Sequence, residues 1–105
     1  MSANAARGEA GISLGGERLV LRPSFTALVA AEEELGPLFA LVERAASGGL
    51  KLSEMAALFW HCVDARPEGL TRERVGAAIA EQGLAGATPA LRTLLGQILQ
   101  GRGAV

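Results

Sequence analysis

The chain has 105 residues, half of them hydrophobic but only 4% aromatic, and a formal net charge of -1. That is room for one domain with a modest core. Ten basic and eleven acidic side chains are spread throughout, which excludes the clustered Lys and Arg of a nucleic-acid groove, and the lone Cys62 excludes an internal disulfide.

No apolar run approaches the roughly 20 residues that span a bilayer. Residues 1 to 8 are small and polar with no hydrophobic signal region. A cytoplasmic protein without a membrane or nucleic-acid partner is therefore expected. Its organisation reads as a disordered tail over 1–8, a single helical domain over 9–101 and a frayed tail over 102–105.

The first ordered stretch, EAGISLGGERLVLRPSF from Glu9 to Phe25, reads as a two-stranded hairpin followed by a helix cap. Gly15-Gly16 suits a primed two-residue turn, whose central residues take positive φ. That turn sets the register: Leu14 opposite Glu17, Ile12 opposite Leu19, Ala10 opposite Leu21. One face is then apolar, while the other pairs Glu9 with Arg22 and Ser13 with Arg18. A slip of one residue would scatter both sets. A hairpin alone is marginal in water, so the helices that follow must cover its apolar face.

Pro23 ends the second strand and Ser24 caps a helix over 25–35, with Phe25, Leu28, Val29 and Leu35 at helical spacing. Glu32, Glu33 and Glu34 at its C-terminal end read as a solvated face. Pro37 opens a second helix with Leu38, Leu41, Val42 and Ala45 on one side, and Ser47-Gly48-Gly49 closes it. Ser53 reads as the cap of a third helix extending to Ala65, with Ala56, Phe59 and Val63 in its densest apolar face. Thr71 caps a fourth over 72–82, in which Gly76 is a weak point. Leu84 to Ala87 reads as a loop, and Thr88-Pro89 as the cap and first residue of a last helix. Leu91, Leu94, Leu95, Ile98 and Leu99 form the cleanest amphipathic stripe in the chain. That stripe is expected across the hairpin's apolar face, with a hydrophobic segment of another protein as the alternative occupant. The fold class is mainly α (α+β), an N-terminal two-stranded hairpin followed by four to five short packed helices.

Candidate chemistry is sparse. His61, Cys62 and Asp64 invite an enzyme reading, but adjacent helical residues point about 100° apart, so His61 is badly placed to activate Cys62. One histidine and one cysteine on different faces of a helix make no metal site. Gly15-Gly16 lacks the spacing of a phosphate loop and lies at a hairpin. No cofactor is implied. The residues singled out for protein contact are Phe59, Trp60, Leu91, Leu95 and Leu99, with core positions as the competing reading for Phe59 and Trp60.

The glycine turn, the strand ending Val20-Leu21-Arg22-Pro23-Ser24-Phe25, then Ala27-Leu28 and an acidic Glu32 or Glu34 resemble the gene transfer agent family of phage-tail proteins. The likeness continues through Leu35-Gly36, Leu50-Lys51-Leu52 and Ala56-Ala57-Leu58-Phe59-Trp60, and fades after Asp64. What the resemblance implies is a tail assembly chaperone or tail morphogenesis protein that binds another tail protein, the tape measure first among them. The alternative is a structural tail tube subunit, against which stands the need of tube subunits for long strands. A third alternative is an unrelated small enzyme. Self-association into an oligomer is a further expectation.

Overall fold

Gly15 and Gly16 reverse the chain with φ of 53° and 86°, the left-handed conformation that glycine adopts without strain. In the computed structural model, which describes residues 9–101, they join strands β1 (Ala10–Leu14) and β2 (Glu17–Leu21). The expected tails lie outside the described residues. The register is the expected one, with Ala10 opposite Leu21, Ile12 opposite Leu19 and Leu14 opposite Glu17. Ala10, Ile12, Leu19 and Leu21 are all buried. On the other face Arg22 Nε lies 3.9 Å from Glu9 Oε2. Arg18 lies across Gly11, where an added Cβ would come within 2.8 Å of its Nε.

Among the described residues five helices follow. In α1 (Phe25–Leu35) the Ser24 hydroxyl accepts from the Ala27 amide at 3.2 Å, as the sequence predicts. The buried face, however, is Ala27 and Ala31, and Phe25 is 84% exposed. Phe25 is the first helical residue, at the end of the packed face, and the alanines let α1 approach α3 closely. Helix α2 (Leu38–Ala46) follows Pro37, which is its N-cap residue and lacks a capping side chain. Glu32 replaces it, its Oε2 accepting from the Leu38 amide at 3.1 Å.

Helix α3 (Leu52–Cys62) is the centre of the molecule, packed between α1 and α4. Met55, Ala56, Ala57, Leu58, Phe59 and Cys62 are buried, more than one stripe, as expected of a helix covered on several sides. It begins before Ser53: the cap residue is Lys51, whose amide donates to Glu54 Oε1 at 3.0 Å. It also ends at Cys62 rather than Ala65, because the next residues turn to the hairpin. The Arg22 amide donates to the Cys62 carbonyl at 2.7 Å and the Asp64 amide to the Val20 carbonyl at 2.8 Å. Leu21 and Val63 thus form an antiparallel bridge on the outer edge of β2. On β1, Gln82 Nε2 donates to the Ser13 carbonyl at 2.8 Å. The chain therefore covers part of both ribbon edges itself, a usual safeguard against unwanted strand pairing.

Helix α4 (Arg72–Gln82) is capped by Thr71, whose hydroxyl accepts from the Arg74 amide at 3.2 Å. Helix α5 (Leu84–Gln100) corrects the expected loop and late start. It is continuous over 17 residues, with Gly83 at φ 82° as the break before it and Pro89 inside it. The proline removes the amide that would bond the Ala85 carbonyl, but Ala85 is exposed, so water can satisfy that group. Together α4 and α5 pack against β1, and Ala87, Ala90, Leu91 and Leu94 of α5 are buried. The last helix does cover the hairpin.

Gly96 lies inside α5 with nothing within 4 Å of an added Cβ. Gly96→Ala is expected to stabilise the fold by about 0.5–1 kcal/mol, the usual gain in a helix interior. For a domain of this size, that is a rise of a few degrees in Tm, measurable by calorimetry.

Candidate functional site

Two arrangements stand outside the core. One is electrostatic and joins three helices. Glu34, near the end of α1, places Oε1 2.8 Å from His61 Nε2 on α3, and its Oε2 accepts from Arg72 at the start of α4. The acidic run is thus more than a solvated face: Glu34 ties α1 to α3 and α4, and Glu32 caps α2. The Arg72 hydrogen bond, then that from His61, hold the Glu34 carboxyl below its ordinary value of 4.5. The Lys51 amide, then Arg44, which donates to Oε2 at 2.6 Å, do the same for Glu54.

Both carboxylates are more acidic in the folded chain than in the unfolded one. Their contribution is therefore present above pH 4.5 and is lost as pH falls through the folded values. Because Glu34 is 37% exposed at its side chain, solvent screening keeps the clamp's contribution to about 1 kcal/mol or less. Urea midpoints at pH 7 and pH 3 are expected to differ less in Glu34→Gln than in the wild type; an unchanged difference would count against the clamp.

The structure does not bring His61 and Cys62 together as base and nucleophile. The His61 ring is turned to Glu34, whereas Cys62 is 1% exposed and burial pushes its thiol up to about 12. A protonated, enclosed thiol is a poor nucleophile. Among the described residues no cluster of three His, Cys, Asp or Glu could hold a metal ion. No helix there is long and apolar enough to cross a membrane.

The second arrangement is an apolar groove between α2 and α5. Arg44 fixes α2 to its neighbours, reaching the Leu35 carbonyl at 3.4 Å as well as Glu54. Only Leu41 of α2 is fully enclosed, and Leu38, Val42 and Ala45 remain half-buried. Across from them run the half-buried Leu95 and Ile98 and the 52% exposed Leu99. The gap forms two adjoining hollows. One, of about 430 Å³, is lined by Val42, Ala45, Leu91, Leu95 and Leu99, with Arg92 at its rim. The other, of about 180 Å³, lies between Leu38, Phe39, Ile98 and Leu99, with Glu32 beside it.

The five residues picked out for contact divide accordingly. Leu95 and Leu99 line the groove, and Leu91, 9% exposed, forms part of its floor. Trp60 is half-buried, its ring 4.1 Å beneath the Arg66 guanidinium in a cation–π contact. Phe59 is 0% exposed and is corrected to a core residue, since a side chain enclosed on all sides offers a partner no surface. The sequence reading missed Phe39, 79% exposed, because it falls off the Leu38/Leu41/Val42/Ala45 stripe. It also missed the pairing of α2 with α5, which no local pattern reveals.

The fold and groove define a small, mainly helical protein with an apolar face open to contact. Residues 7–101 match the family model described as phage tail tube protein, GTA-gp10, and the chain belongs to that family. The match extends well past Asp64, where the motif likeness fades. No curated protein and no solved structure matches the chain.

Proposed function

We propose that this chain is a non-catalytic tail protein of a phage-like gene transfer particle, acting by contact with other tail proteins. The family match over residues 7–101 carries this reading. Its description favours a structural place in the tail tube, and that is the first reading. The half-buried Leu95 and the exposed Leu99, with the half-buried Trp60 at a separate position, are the surfaces proposed for such contacts.

A second reading, an assembly chaperone that keeps the tape measure soluble before the tube forms, is favoured by the ribbon. Its strands have five residues each, and the outer edge of β2 already carries residues 62–64. Little free backbone remains for a continuous wall of strands shared between subunits.

Quantitative mass spectrometry of purified particles separates the two. A tube subunit is expected in ring-multiple copies. A chaperone is expected to be absent from particles yet to co-purify with the tape measure when the two are co-expressed. Absence from particles combined with no association with either tape measure or tube protein would overturn both.

A further inference from the structure

The groove carries a protrusion and a recess on one face. Phe39 stands beside the smaller hollow, 79% exposed, while the larger hollow, about 430 Å³, opens at the other end of the same groove. Leu99 lines both. Charge follows the same polarity. Glu32 borders the Phe39 end, and Arg92, which has no ion-pair partner among the described residues, borders the other.

We infer that the occupant of this groove is a second copy of the chain, related by a two-fold axis passing near Leu99. Such an axis places each Phe39 over the partner's larger hollow and brings each Arg92 toward the partner's Glu32. An isologous contact uses one patch on both subunits and closes at two. A ring needs complementary patches on different sides of the molecule, whereas here the protruding and receiving features share one face. Helix α5 fits the scale: from Arg92 to Leu99 is seven residues, about 10 Å of rise, so two α5 helices can cross with all four ends of the groove engaged. The pairing rests on the groove and not on the tail reading. If both hold, a tail protein that docks on Leu95 and Leu99 competes with self-pairing.

Sedimentation equilibrium of the purified full chain, from low to high micromolar concentration, tests this without any tail partner. A monomer–dimer equilibrium is expected. Phe39→Asp, a substitution at an exposed position that circular dichroism should show folded, is expected to weaken the dimer by at least about 30-fold, the effect of losing a binding hot spot. Arg92→Glu, at an exposed residue, is expected to weaken it as well. A wild-type chain that is monomeric throughout overturns the inference. So does a mass of three or more copies, or a dimer unaffected by Phe39→Asp. Failure of any of these kinds leaves the particle composition, and hence the tail reading, to be decided separately.

Discussion

Replacing Phe59 with alanine is expected to destabilise the fold by about 3–5 kcal/mol. The side chain is 0% exposed on the helix between α1 and α4. Its removal leaves a void in a core where Leu58, Ile79 and Leu94 are also 0% exposed, and the core can fill it only by shifting. A domain of this size has roughly 5–15 kcal/mol of stability in all, so the variant should melt far below the wild type or fail to fold at 37 °C. Chemical denaturation with matched m-values measures the loss. A cost under about 1 kcal/mol would return Phe59 to the surface, as would retained stability with lost partner binding.

The second large effect separates two leucines on the same helix. Leu94 is 0% exposed and Leu99 is 52% exposed, although the sequence stripe treats them alike. Leu94→Ala is expected to cost about 2–5 kcal/mol, because a fully enclosed side chain leaves a cavity in the core. Leu99→Ala should cost about 1 kcal/mol or less, as for other substitutions away from the core. Its effect should appear instead in association. Thermal unfolding of the two variants side by side checks the division, and equal losses would mean that the groove is closed in solution.

Much of this fold was legible because its signals are local. Gly15-Gly16 flanked by alternating apolar residues leaves one register that buries a whole face, and the pairing follows. Ser24 and Thr71 cap helices as their chemistry predicts. Local reading failed where a more distant partner decides. Lys51 begins α3 in place of Ser53 because Glu54 reaches back to its amide. Cys62 ends the helix because β2, some forty residues earlier, takes up the backbone that follows. Pro89 resembles a helix start, yet the residues ahead of it are already helical. The apolar groove was half legible. Leu95 and Leu99 announce themselves by spacing, but only the folded chain shows that α2 lies opposite them and that Phe39 projects alongside. Phe59 and Trp60 are neighbours in sequence with opposite surroundings, a difference set by α1 and α4 and absent from their own segment.

The enclosure of Cys62 has a consequence for handling. With Cys62 1% exposed and burial pushing its thiol pKa up to about 12, the folded chain presents almost no thiolate to oxidants or to other thiols. An oxidising buffer should therefore leave it without mixed disulfides for as long as it stays folded. A thiol-reactive dye would label it only at the rate at which the molecule opens, making this single thiol a built-in clock for unfolding.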